Sequence, residues 1–241
     1  MRTPVPPTAP LASSVAWAVA LIVDDGGRGA ASVLLMGSGL LLMGATAVVG
    51  MVVAGARWAR RLAFAAIGAA VLTAATRPVD LLWRLALVFT ALAAAAMFSP
   101  SVTSEVRRSP AAAGPPERAV VVSLVLLSAP FALGATSPEA SWAELTAALS
   151  ALVVAFAYTR VAPGGLFALR YLWPALAVGL APPMGLPAGA VSAVLGTTVF
   201  SLGIGKSVKT AFHPLLESGA AFPAPARPAS GEPPGGDERP R

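Results

Sequence analysis

Residues 62–98 read LAFAAIGAAVLTAATRPVDLLWRLALVFTALAAAAMF, an apolar stretch that is interrupted once, by Thr-Arg-Pro-Val-Asp at 76–80. Proline lacks a backbone N–H and restricts the residue before it, while Arg77 and Asp80 favour water. The stretch therefore predicts two apolar helices joined by a tight polar hairpin. Because one helix needs about 20 apolar residues to cross a bilayer core, the pair predicts a membrane hairpin.

The same alternation of apolar runs and short polar loops continues over most of the chain. The predicted spans are 11–23, 30–56, 62–76, 81–98, 119–135, 141–159, 165–181 and 184–205. Continuous apolar runs favour helices, whereas an outer-membrane barrel would alternate apolar and polar residues. We therefore predict an all-α, polytopic transmembrane helical bundle of about eight spans over residues 11–205. The runs at 11–23 and 62–76 are short for a span.

Composition excludes an ordinary soluble domain. Hydrophobic residues make up 56% of the chain and charged residues 12%, whereas a soluble domain carries about a quarter charged residues. The mean hydropathy is +0.74. Two of the 17 basic residues are lysines, and alanine, glycine and proline abound, which is typical of proteins from GC-rich bacterial genomes. The expected location is the bacterial cytoplasmic membrane.

The N-terminus has two interpretations. Arg2 followed by the apolar run 11–23 resembles the start of a signal peptide, but Asp24, Asp25 and two glycines follow where small residues should mark a cleavage site. We favour an uncleaved first helix. Without that helix the bundle would have seven spans and an external N-terminus.

Basic residues predict the orientation, because arginine and lysine near helix ends are retained in the cytoplasm. One side of the eight-span arrangement collects ten of them: Arg2, Arg57, Arg60, Arg61, Arg107, Arg108, Arg118, Arg160, Lys206 and Lys209. The other side holds Arg28, Arg77 and Arg84. Both termini are therefore predicted to be cytoplasmic.

The terminal segments differ from the bundle. Residues 1–10 form a cytoplasmic N-terminal segment, 206–218 a juxtamembrane segment, and 219–241 a proline- and glycine-rich tail that should be disordered. Lys206 and Lys209 are expected to bind anionic lipid head groups. Gly205-Lys206-Ser207 resembles part of a phosphate-binding loop, but Phe200 stands where the motif needs glycine and a span precedes it.

The chain lacks the residues that most cofactors need. It has no cysteine and a single histidine, His213, which lies beyond the last predicted span. We therefore predict no metal, no haem, no iron–sulfur cluster and no catalytic residues. The net charge of +6 is assigned to loops facing anionic lipid, so nucleic acid is not an expected partner.

Ionisable residues within spans are the first candidates for function, since charge is costly in a bilayer. Three qualify: Arg84, Glu144 and Arg170. Arg84 and Glu144 are predicted at similar depth near the outer surface, where they would pair across the bundle. The alternative is that Arg84 pairs with Asp80, one helical turn earlier, and that the side chains of Arg84 and Arg170 extend to the nearest membrane interface.

Two prolines lie inside predicted spans and should kink them. Pro130 follows Ser128 in the fifth span, and Pro174 follows Arg170, Tyr171 and Trp173 in the seventh. A ligand site is expected around that second group or at Arg84 and Glu144. Tryptophans at span ends are predicted interfacial anchors, and deeper ones are predicted to pack between helices. The anchors are Trp58, Trp83 and Trp142, and the deeper residues are Trp17 and Trp173.

Small residues recur at helical spacing in two spans. The last span carries one every four residues, a row that predicts a close helix contact inside the fold or with a partner. The row consists of Gly189, Ala193, Thr197, Ser201 and Gly205. The second span repeats Leu-Leu-Met-Gly at 34–37 and 41–44, followed by a second row of Thr46, Gly50 and Ala54.

Three functional classes remain. A membrane-embedded subunit, scaffold or accessory protein fits best, because the spans hold few polar groups; its partners would be lipid, other membrane proteins or a second copy. The alternative is a carrier or permease for a small or lipophilic solute, resting on the kinked spans. An intramembrane enzyme would need a nucleophile, base or metal set, which the sequence does not supply.

Overall fold

The computed structural model describes residues 8–24, 27–54, 57–75, 81–100, 102, 117–159, 163–205 and 208. Within these residues every regular element is helical, which confirms the predicted all-α class. The predicted juxtamembrane segment and tail, 206–241, lie outside the described residues except for Val208.

We number the helices in chain order. They are α1 Ala9–Val23, α2 Ala30–Ala54, α3 Arg57–Ala75, α4 Leu81–Phe98, α5 Glu117–Thr136, α6 Trp142–Thr159, α7 Pro163–Phe167, α8 Trp173–Gly179, α9 Ala181–Met184 and α10 Ala188–Gly203. A π-helical turn, Ala168–Leu172, joins α7 to α8. The first six helices lie over the predicted spans because each contains a long apolar run. Helix α3 begins five residues early, at Arg57, and so includes three arginines ahead of its apolar run.

Among the residues that the structure describes, three segments are long and apolar enough to cross a membrane: Ala30–Met51, Trp58–Ala75 and Leu81–Phe98. Four further apolar segments are shorter: Ala9–Val23, Val120–Thr136, Trp142–Tyr158 and Ala188–Gly203. The composition-based expectation of membrane-length helices is therefore confirmed for three segments. The number of spans and the positions of the termini stay predictions.

The last helix begins later than its apolar pattern predicted. Residues 181–184 form the short helix α9, and the chain then turns at Gly185, whose φ of 67° is a left-handed value that favours glycine. Pro187 follows this turn, and α10 starts at Ala188. The predicted eighth span thus loses its first four residues to α9 and the turn.

The helices pack around α2 and α5. Helix α1 contacts α2 and α4, α2 also contacts α3 and α5, and α10 lies against both α5 and α8. The largest fully buried side chains include Trp17, Trp83 and Trp173. The rings of Trp17 and Trp83 are 5.1 Å apart, centroid to centroid. This packing confirms the prediction for Trp17 and Trp173.

Two glycines let α2 and α5 touch backbone to backbone. A Cβ atom on Gly39 would lie 2.6 Å from the Phe131 backbone nitrogen, and one on Gly134 would lie 2.7 Å from the Ser32 carbonyl oxygen. Neither contact leaves room for a side chain. On the face of α2 toward α1, Gly44 packs against Ser14, and Gly37 makes an ordinary contact with Ala18. Gly37 and Gly44, the glycines of the repeat, therefore contact α1, whereas Gly39 contacts α5.

Two contacts between loops and helix ends identify one end of the bundle. The Gly29 N–H donates to the Pro138 carbonyl at 2.8 Å, which brings the start of α2 to the loop between α5 and α6. The Trp83 indole N–H donates to Asp24 at 2.8 Å, which brings the start of α4 to the end of α1. We call this the Glu144 end, after the acid at the start of α6. The opposite end, where α10 finishes, is the Gly203 end.

Candidate functional site

Glu144 is enclosed at its end of the bundle, with 2% of its surface exposed. Its Oε1 accepts a hydrogen bond from the Ser137 hydroxyl at 2.7 Å. Its Oε2 accepts from the Ser141 N–H at 2.7 Å and from the Ser141 hydroxyl. Both carboxylate oxygens are therefore engaged by the loop that precedes α6.

The arrangement around Glu144 has a local sequence signal. Ser141-Trp142-Ala143-Glu144 has the spacing of a capping box, in which an acid three residues into a helix accepts the N–H of the N-cap residue. Ser141 precedes the first residue of α6, and the Glu144 carboxylate accepts its N–H. The acid thus satisfies a backbone donor that the helix itself cannot pair.

Arg84 and Glu144 do not form the predicted pair. Arg84 is exposed on α4, whereas the buried Glu144 carboxylate is bonded to serines. Within the part of the chain that the structure describes, no ion pair joins the two residues. The reason is local: the loop serines are closer in sequence to Glu144 than any residue of α4, and their hydroxyls already satisfy its oxygens.

Arg28 binds the C-terminal end of α5, at the Glu144 end of the bundle. Its Nη1 donates to the carbonyls of Gly134 and Ala135 at 3.1 and 2.9 Å. These carbonyls lie in the last turn of α5, where helix carbonyls lack intrahelical partners and the dipole favours a cation. Arg28 was counted only as a loop charge in the sequence, but it joins α2 to α5.

A second polar cluster links α1 to α4 within the bundle. The Thr90 hydroxyl donates to the Ala86 carbonyl at 2.8 Å and accepts the Trp17 indole N–H at 2.7 Å. Ser13 Oγ lies 3.0 Å from the Thr90 oxygen. Because a hydroxyl carries one hydrogen, Ser13 is the donor in that contact. This cluster could not be predicted from the sequence, because isolated serines and threonines form no spacing pattern.

The three tryptophans predicted as interfacial anchors have different surroundings. Trp142 is 65% exposed, as an anchor would be, whereas Trp83 is 2% exposed and donates to Asp24. Trp58 is partly buried. The prediction is wrong for Trp83, because its partner Asp24 comes from another helix and position along α4 alone cannot reveal it.

Arg170 lies in the π-helical turn. Its Nε donates to the Gly203 carbonyl at 2.7 Å, which satisfies a carbonyl at the C-terminus of α10. A Cβ atom on Gly203 would lie 3.4 Å from Arg170 Cγ, so the arginine stem runs against the glycine. Arg170 is partly buried, and the contact spans 33 residues of sequence. This hydrogen bond joins the π turn to the C-terminus of α10.

The π turn stands where a proline kink was predicted. Pro174 has no N–H to donate to the Arg170 carbonyl, and its ring crowds that carbonyl in a regular helix. The chain instead widens over Ala168–Leu172, and the Trp173 N–H reaches the Ala168 carbonyl, five residues back. Trp173 itself is buried and donates to the Ala147 carbonyl at 3.2 Å. Of the predicted group around Arg170, Trp173 is buried and Tyr171 is exposed, so these two side chains lie on different faces.

An open groove of about 400 Å³ lies on the outer surface between the π turn, α8 and α10. It is lined by Tyr171, Pro174, Ala175, Val178, Gly196, Thr197 and Phe200. These side chains are almost wholly apolar. Tyr171 and Pro174 belong to the predicted group around Arg170, so the structure brings part of that group to an accessible surface.

The small-residue row of α10 changes face along the helix. Gly189 is buried, Ala193 and Gly205 are partly buried, and Thr197 and Ser201 are exposed. A step of four residues advances about 40° around a helix with 3.6 residues per turn, so such a row drifts away from any fixed face. The packed face is instead Gly189, Ser192, Gly196, Val199 and Gly203. That the exposed part of the row contacts a partner stays a prediction.

No cluster of three histidine, aspartate or glutamate residues able to hold a metal ion occurs among the residues that the structure describes. Comparison of the chain with protein-family models, with curated proteins and with solved structures finds no match.

Proposed function

We propose that this chain is a multi-pass protein of the bacterial cytoplasmic membrane that serves as an embedded subunit, scaffold or accessory protein without catalytic chemistry of its own. The exposed surface supports the membrane location. Helix α4 has a mean hydropathy of 2.0, yet only 33% of it is buried. Its exposed residues include Leu85, Val88 and Leu92, at 49%, 55% and 58% exposure. A face of this kind is stable against lipid tails and unfavourable in water.

The subunit proposal rests on one observation, the hydrogen-bond partners of the polar side chains. Glu144, Arg28 and the Thr90 cluster each bond to groups of this same chain that join helices or cap their ends. Arg170 likewise binds the last carbonyl of α10. A reaction or a coupled transport cycle needs polar groups that change partners, whereas these groups hold the bundle together.

The proposed orientation places the Glu144 end outside and the Gly203 end in the cytoplasm, with eight spans and both termini inside. The contact between Trp83 and Asp24 agrees with alternating spans, because the end of α1 and the start of α4 meet at one end of the bundle. The choice of side rests on the basic residues. Reporter fusions test it directly. Cytoplasmic signals are expected after Arg61, Arg118, Arg160 and Lys209, and external signals after Gly27, Asp80, Pro138 and Gly185. An external signal after Arg118 would overturn the orientation.

The exposed end of the small-residue row is the proposed partner contact. Thr197 and Ser201 each return a hydroxyl hydrogen bond to their own helix, to Ala193 and Thr198 respectively. The hydroxyls are thereby masked, and the surface that remains is small and smooth. Another helix can approach such a surface closely and gain van der Waals contact that lipid does not supply.

Purification from native membranes in a mild detergent tests the function. The full chain should retain a stoichiometric membrane protein or a second copy. Ser201→Ile should release it without lowering the melting temperature of the monomer, since Ser201 is exposed. Leu195→Ile, off the row, is the matched control and should retain the partner. Absence of any stoichiometric partner, together with solute uptake into vesicles containing the purified chain, would overturn the subunit proposal in favour of a carrier.

A further inference from the structure

We infer that the surface groove between the π turn, α8 and α10 holds an acyl chain of an anionic phospholipid whose phosphate is bound by Arg170. The inference rests on the proposed membrane location and orientation. It names a lipid ligand, which is a different molecule from the protein partner proposed above, although Thr197 belongs to both surfaces.

The groove suits a hydrocarbon ligand. It runs along the helix from Tyr171 to Val178, seven residues or about 10 Å at 1.5 Å per residue. It has a volume of about 400 Å³, is open at the surface and has an almost wholly apolar lining. In a membrane such a surface faces hydrocarbon, so the ligand assigned to it is an acyl chain.

Arg170 supplies the charge next to the groove. It is the residue before Tyr171, and its Nε is held by the Gly203 carbonyl at 2.7 Å. Among the residues that the structure describes, no partner is found for its two terminal Nη nitrogens. A guanidinium group presents its donors as a planar fork that matches phosphate oxygens. The contact with Gly203 therefore positions the fork while leaving donors for a ligand.

The sequence beyond α10 adds positive charge. Lys206 comes three residues after Gly203, the last residue of α10, which lies at the Gly203 end of the bundle. In the proposed orientation this end faces the cytoplasmic leaflet, where anionic lipids are attracted to basic residues near helix ends. Charge and groove together select an anionic lipid over a neutral one.

Native mass spectrometry of the full chain in a nonionic detergent tests the inference. The probes are dioleoyl phosphatidylglycerol and dioleoyl phosphatidylcholine, which share acyl chains and differ in charge. Phosphatidylglycerol should bind about fivefold more tightly, the factor expected for one arginine near an anionic head group. Arg170→Gln should abolish this preference, and Arg170→Lys should keep most of it. Arg84→Gln, an exposed arginine on α4, is the matched control and should leave the preference unchanged.

A second pair of variants tests the acyl chain. Ala175→Phe fills the groove and should weaken both lipids several-fold, whereas Val153→Phe, at a 67% exposed position on α6, should weaken neither. Glycerol 3-phosphate, which has the phosphate and no acyl chain, should not compete with phosphatidylglycerol at equal concentration.

Three results would overturn the inference. They are a preference for phosphatidylglycerol that survives in Arg170→Gln, lipid binding that survives in Ala175→Phe, and full competition by glycerol 3-phosphate. Release of a protein partner by Ala175→Phe with lipid binding intact would show that the groove takes a helix. Since the lipid measurements use the purified chain alone, their failure is distinct from failure to find a protein partner.

Discussion

Glu144 and Arg170 both lie inside predicted spans, but the fold treats them differently. Glu144 is 2% exposed, and its oxygens are taken by serines three and seven residues away. Arg170 is partly buried and reaches a carbonyl 33 residues away with one of its nitrogens. A charge satisfied by its own loop becomes part of the structure, whereas a charge held at one atom beside a surface groove keeps donors for a ligand. The difference predicts unequal effects of mutation.

The largest effect is expected from Glu144→Ala. The change leaves Ser137 and the Ser141 N–H without their acceptor in a buried setting, and hydrogen bonds to a charged group contribute about 1.5–3 kcal/mol each. We expect a loss of about 3 kcal/mol in unfolding free energy, measured by thermal melting in detergent. Glu139→Gln, at an exposed position of the same loop, is the control and should be nearly neutral. Equal melting temperatures for the two variants would contradict the structural role of Glu144.

Substitutions on α10 should separate the packed face from the drifting row. A Cβ atom on Gly196 would lie 2.9 Å from the Ala177 Cβ, whereas Thr197 is exposed. Gly196→Ile should therefore destabilise the chain by about 1–3 kcal/mol through overpacking, and Thr197→Ile by less than about 0.5 kcal/mol. Melting of the monomer in detergent measures both. A larger loss for Thr197→Ile would place the packed face on the predicted row after all.

A double-mutant cycle should show which residue Glu144 contacts. Glu144→Ala and Ser137→Ala are expected to couple by about 1 kcal/mol, because they remove the acceptor and the donor of one hydrogen bond. Glu144→Gln and Arg84→Gln should be additive to within about 0.5 kcal/mol. Coupling to Arg84 in thermal melts, with additivity for Ser137, would restore the cross-bundle pair predicted from depth.

Arg170→Gln is expected to lower the unfolding free energy much less than Glu144→Ala does. The residue is partly buried and makes one hydrogen bond to Gly203, so removal should destabilise the chain by about 1 kcal/mol or less. Thermal melting in detergent without added lipid isolates this effect. A loss comparable to that of Glu144→Ala would mean that Arg170 is a structural charge too, and the contrast between the two sites would disappear.

Local sequence was enough to predict where most helices lie. Helix α4 occupies Leu81–Phe98, as its apolar run predicted, and α1 and α2 each agree with prediction to within two residues. An apolar run can satisfy its backbone only by forming a helix when it is surrounded by lipid, so composition determines the element. The capping box at Ser141 was equally local and could have been found in the sequence.

The tertiary structure alone decided which faces and which charges meet. Trp83 and Trp142 have the same side chain and similar positions at helix starts, yet one is buried against Asp24 and the other is exposed. The row on α10 has the spacing of a contact, but helix geometry rotates it off the packed face. The contact between Arg170 and Gly203 depends on a helix that begins 18 residues after Arg170. Sequence patterns report distance along the chain, whereas these contacts depend on how separate helices cross.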